Sequence, residues 1–96
     1  MAKSDSRRNG RLSAAELGAA ALKTVEELTG YEPEAVTALE WDGDLWQITV
    51  DALELERIPN TTDVLGSYVV QLDDSGTLHG YKRTRRFLRA QAADEE

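Results

Sequence analysis

No cysteine occurs in this 96-residue chain, which excludes disulfide staples, thiolate metal sites and cysteine nucleophiles together. Histidine is almost as scarce. His79 stands alone, so a transition-metal site would have to be completed by carboxylates, a poor donor set for zinc or copper. No apolar run approaches the roughly 20 residues of a bilayer-spanning helix. The charged opening MAKSDSRRNGRLS leads into no uninterrupted apolar segment, because Glu16 and Lys23 interrupt the residues after it. A soluble cytoplasmic protein without a signal peptide is the expectation. The chain also lacks a serine-nucleophile motif, a glycine-rich phosphate loop and a calcium loop. Among the carboxylates of Asp51, Glu54 and Glu56, only the last two share a strand face. No enzymatic activity, catalytic residue, metal or cofactor is therefore expected.

The residues that are present describe one small domain. Apolar residues make up 41% of the chain, and Trp41, Trp46, Tyr31, Tyr68, Tyr81 and Phe87 are large enough to anchor a core. Residues 1–11 and 90–96 carry almost nothing to bury and read as flexible tails, leaving residues 12–89 as the folded unit. The formal net charge is −7, unevenly spread: Gly30 to Asp74 holds eleven acids and one base, Arg57, whereas Lys82 to Arg89 holds five bases and no acid. Either the two stretches pair within the fold or they present faces of opposite potential to partners.

The first element has clear boundaries. Ser13 and Glu16 form an S-x-x-E capping box flanked by a Leu12/Leu17 staple, so a helix starts at Ala14. Leu17, Ala21, Val25 and Leu28 make one helical stripe, short and alanine-rich, suited to close packing on a sheet. Gly30 is a natural left-handed terminator, with Tyr31 able to fold back on Val25. Beyond Pro33 the period becomes two. Thr37, Leu39 and Trp41, then Trp46, Ile48, Val50 and Ala52, mark two half-buried strands joined at Asp42-Gly43. The alternation slips between Asp51 and Leu55, as a bulge or a doubly covered strand would produce. DVLGSYVVQLD supplies a third strand, DDSG a type I turn with a glycine bulge, and TLHGYKRTRRFLR a fourth. The fold class expected is α+β, one N-terminal helix packed on a four-stranded antiparallel β-meander.

Between the second and third strands lies ERIPNTTD. Pro59 lacks an amide proton and holds Ile58 extended, so pairing must stop there, and the polar residues after it build a loop of about five residues. Arg57, alone among acids, has Glu54, Glu56 and Asp63 as possible partners. A charge-assisted contact between Arg57 and Asp63 is the expected brace of this corner.

Taken together, Trp46, Glu54, Glu56-Arg57-Ile58-Pro59, Thr62-Asp63-Val64-Leu65, Tyr68, Leu72-Asp73, Gly76 and Tyr81-x-Arg83-x-x-Arg86-Phe87-x-Arg89 resemble the gas vesicle protein O family. The similarity covers residues 46–89, and LTGYEPEAV before it also fits. Phe87 departs from the tyrosine more usual in that motif. The resemblance implies a non-enzymatic, cytoplasmic accessory protein of gas vesicle assembly, associated with other vesicle proteins, including the ATPase of the cluster and the shell protein. It points to Arg57, Asp63, Tyr81, Arg83, Arg86 and Arg89 as the shared protein-binding surface.

The strip YKRTRRFLR also has the ingredients of a single-strand nucleic-acid site, cations interleaved with Tyr81 and Phe87. The acidity of the whole chain opposes that alternative. Strict alternation would set Tyr81, Arg83 and Arg85 on one face and Lys82, Thr84 and Arg86 on the other, with some cations answering Glu54, Glu56 and Asp51 across the sheet. A charged edge strand that resists aggregation is the plainest reading of the same residues.

Overall fold

A computed structural model of the chain describes residues 11–90. The tails expected at 1–11 and 90–96 fall, apart from Arg11 and Ala90, outside the described residues. Helix α1 (Ala14–Thr29) is followed by strands β1 (Glu32–Trp41), β2 (Trp46–Leu55), β3 (Val64–Leu72) and β4 (Leu78–Leu88). The strands form one antiparallel sheet in the order β1-β2-β3-β4, the expected helix-plus-meander of an α+β fold.

Helix α1 begins where its cap dictates. The Ser13 hydroxyl accepts from the Glu16 amide at 3.2 Å and the Glu16 carboxylate accepts from the Ser13 amide at 2.8 Å. Two orphan donors of the first turn are thereby satisfied. The helix ends at Gly30, whose φ of 78° lies in the left-handed region. Leu17, Ala21 and Val25 are fully buried against Ile48, Val50, Ala52, Tyr68, Val70 and Leu72. Leu28, expected on the same stripe, is half-exposed in the last turn, and Tyr31 packs on the core instead.

The turns obey their side chains. The Asp42 carboxylate accepts from the amides of Leu45 and Asp44, both at 2.9 Å, and from the Gln47 side chain, which together hold its pKa below the ordinary value. Asp73 does the same in the β3–β4 turn, where Ser75, His79 and Thr77 all hydrogen-bond its carboxylate and hold its pKa well down. Gly76, at φ 90°, completes the expected turn and bulge.

Strict alternation fails in three strands. A register shift between Val36 and Ala38 leaves Thr37 as an extra residue, so Val36 and Leu39 face the core rather than Thr37 and Leu39. Trp41, expected on the buried face of its strand, is 47% exposed and tilts against Trp46 with ring centroids 5.3 Å apart. A shift between Leu53 and Leu55 makes Glu54 the extra residue of β2, the irregularity expected there. Another shift, between Ser67 and Tyr68, absorbs Thr84 in β4. The expected division of β4 is thereby corrected. Tyr81, Arg83 and Arg86 pair with Val70, Tyr68 and Gly66 on the helix-facing side, while Arg85 and Phe87 pair with Ser67 and Leu65 on the other.

Candidate functional site

These irregularities gather polar groups at one end of the sheet, beyond the helix-covered core. Glu54 is the centre of the first group. Its side chain is only 1% exposed, yet it meets Arg83 Nε at 3.4 Å, Arg86 Nε at 3.1 Å and the Tyr68 hydroxyl, which donates to it at 2.5 Å. Gly66, between Ala52 and Arg86 in the ladders, leaves the room this carboxylate occupies; a β-carbon there would overlap Glu54 Oε2. A buried carboxylate is tolerable when its lone pairs are filled by charged donors. Burial first, and the neighbouring Glu54 second, push the Tyr68 phenol up to about 12.

Asp63 is the centre of the second. It is 3% exposed and accepts from the Arg57 amide at 2.8 Å and from Arg89 Nε at 3.1 Å. The Arg89 amide in turn donates to the Asp63 carbonyl, and its guanidinium grips both Glu34 oxygens at 3.2 and 2.8 Å. Glu34 and then Asp63 raise the Arg89 pKa further above its already high value. Glu34 belongs to β1 and Arg89 follows β4, the two opposite edges of the sheet. For these edges to touch, the sheet must curl strongly at this end, which the nearby register shifts permit. On the face away from the helix, the curl buries Leu65 and Phe87, with Leu53 beside them, and Arg85 lies over the Phe87 ring at 4.3 Å from its centroid.

The expected brace is therefore corrected in its chemistry. Asp63 does fix the corner, but it binds the backbone of Arg57; the guanidinium on Asp63 is that of Arg89. Arg57 itself is exposed, and among the described residues its guanidinium enters no ion pair. The connection is also longer than the expected five residues, running over residues 56–63 with a 3-10 turn at Asn60–Thr62.

Of the six residues singled out from sequence, five meet at this end: Arg83 and Arg86 on Glu54, Arg89 on Asp63, and Arg57 beside them. Tyr81 stands apart, 43% exposed, lining a separate hollow with Val69, Gln71, Gly80 and Lys82. Sequence reasoning missed Glu34, which lies 55 residues from Arg89 and carries no local signal. It also missed a cavity of ≈ 350 Å³ lined by Leu55, Arg57, Val64, Arg86, Phe87 and Leu88. The slip of alternation before Leu55 was the available hint. Among the described residues no group of three or more metal-ligating side chains assembles, and no helix is long and apolar enough to cross a membrane.

Fold and site together define a small two-layer α+β protein that holds one curled sheet end rigid with buried carboxylates and arginines. The chain belongs to the gas vesicle synthesis protein family GvpO, which it matches over residues 1–93. It is 47% identical over 66 residues to gas vesicle protein O of Streptomyces sp. (strain CB03234), covering 69% of this chain and 52% of that protein. It is 33% identical over 76 residues to gas vesicle protein O of Haloferax mediterranei, covering 78% and 54% of the two chains. Gas vesicle protein O1 of Halobacterium salinarum is 27% identical over 75 residues, covering 78% of this chain and 63% of that one. The chain thus spans about half to under two thirds of the length of the curated relatives it matches. No solved structure matches it.

Proposed function

We propose that this chain is a non-enzymatic accessory protein of gas vesicle assembly that works by binding other vesicle proteins. The observation that carries the reading is membership of a family of gas vesicle synthesis proteins over nearly the whole chain. The geometry supports binding over chemistry, because the polar groups at the curled end are committed to one another and hold a surface in shape. Arg57, Asp63, Arg83, Arg86 and Arg89 thereby divide into supports and contacts. Asp63 and Arg89 brace the loop, Arg83 and Arg86 are pinned by Glu54, and Arg57 is presented outward. Tyr81 belongs to a second exposed patch of the same proposed surface. The vesicle-cluster ATPase and the shell protein are the partners proposed.

The nucleic-acid alternative loses support from the same geometry. Arg83, Arg86 and Arg89 each face a carboxylate within 3.4 Å, which leaves no continuous cationic track for a phosphate backbone. Capture assays test the proposal. Tagged protein should retain the ATPase or shell protein from a vesicle-forming host, and Arg57→Glu should reduce capture with unchanged melting. Absence of capture by the unaltered chain would refute it.

A further inference from the structure

The cavity at the curled end is apolar in its walls and cationic at its rim, in a chain whose net charge is −7. Leu55 and Leu88 are 48% and 38% exposed, and Ile58, in the adjoining loop, is fully exposed. Exposed aliphatic side chains gathered at and beside a hollow form the kind of apolar patch that marks an interaction site. The two charged residues lining it are both arginines. Arg86 is held by its Nε contact to buried Glu54, so its position is set in advance. Arg57 has no ion-pair partner among the described residues, although its backbone is fixed by Asp63. By contrast, neighbouring Arg89 is saturated by Glu34 and Asp63. A cationic rim of one held and one exposed arginine around an apolar hollow is complementary to a segment bearing both carboxylates and aliphatic side chains.

Resting on the protein-binding reading above, we infer that this cavity docks an acidic, leucine-bearing segment of a partner protein. One or two aliphatic side chains enter between Leu55, Val64 and Leu88, and a carboxylate meets Arg57 and Arg86. At ≈ 350 Å³ the hollow has the capacity for such side chains and lies within the range of specific small sites. The buried Glu54 acts as a positioning residue, since it holds the Arg86 guanidinium at the rim.

The test is fluorescence anisotropy with the full chain and a labelled, end-capped dodecapeptide built of leucine and glutamate with the leucines at helical i, i+3, i+4 and i+7 spacing. Controls are the same peptide with lysine for every glutamate and a single-stranded oligothymidine. The acidic peptide should bind, and Leu55→Ala and Arg57→Ala, both at exposed positions, should each weaken it about tenfold without changing the melting temperature. No binding up to about 1 mM, equal binding of the lysine peptide, or insensitivity to both substitutions would overturn the docking inference. Oligothymidine binding abolished by the same substitutions, with the acidic peptide inert, would overturn it in favour of a polyphosphate site. A second copy of the chain as occupant would appear as concentration-dependent dimerisation that Leu55→Ala abolishes, and would also overturn it. The wider assembly reading stands or falls separately, on capture of vesicle proteins by the unaltered chain.

Discussion

Glu54 occupies the space that a side chain at Gly66 would fill. The carboxylate of one strand lies over the bare α-carbon of the next and from there reaches two arginines of a third. Gly66→Ala should therefore displace Glu54 and destabilise the fold by about 2–4 kcal/mol, combining overpacking with a disturbed buried charge. Glu54→Gln keeps the volume but removes the charge that Arg83 and Arg86 face, at a cost of about 1–3 kcal/mol. Urea unfolding measures both, and a Gly66→Ala protein as stable as the parent would contradict this geometry.

Asp63 and Arg57 should behave very differently on truncation. Asp63→Ala unpairs the Arg57 amide and deprives Arg89 of one carboxylate. A loss of about 2–4 kcal/mol is expected. Arg57→Ala keeps the amide and removes only an exposed side chain, so it should change stability by less than about 0.5 kcal/mol. Reversed sensitivities in thermal melts would mean that the Arg57 guanidinium, rather than that of Arg89, braces the corner.

The helix cap gives a simpler expectation. Ser13→Ala removes the acceptor for the Glu16 amide and should cost about 1 kcal/mol. An unchanged denaturation midpoint would show that the staple and the sheet carry the helix start without it.

Two groups predict pH dependence of opposite sense. Tyr68 has a folded pKa of about 12 against an ordinary 10.0. Because the folded value is raised, its contribution to stability is complete below about pH 10 and is lost as pH rises through about 12. Ultraviolet titration should show a phenolate appearing near pH 12 that Tyr68→Phe removes. Asp73 is shifted the other way, below 3.8, chiefly by Ser75 and His79. Its contribution is present above about pH 4 and is lost as pH falls through the depressed folded value. Asp73→Asn should flatten that acid-side loss; an unaltered stability profile between about pH 2 and 5 would argue against the turn network.

Much of the fold was legible in the sequence because its signals are local. Ser13, Glu16 and Gly30 delimit the helix by hydrogen bonds that span at most four residues, and Gly43 and Gly76 mark turns whose backbone needs positive φ. Period-two alternation is equally local, so the order of helix and strands could be read from it. The protein-binding role of the six candidate residues belongs to the proposal and to its tests.

The chain by itself determined the order and type of the elements, the ends of the helix and the family it belongs to, since caps, turns and motif residues are legible in short stretches. Only the tertiary structure decided which faces the β4 arginines share, because one extra residue at Thr84 reverses the side of every residue after it. Tertiary structure likewise chose Arg89 over Arg57 for Asp63 and brought Glu34 to it across 55 residues. Opposite sheet edges meet only when accumulated twist and bulges curl the sheet, a sum over many residues that no short stretch encodes.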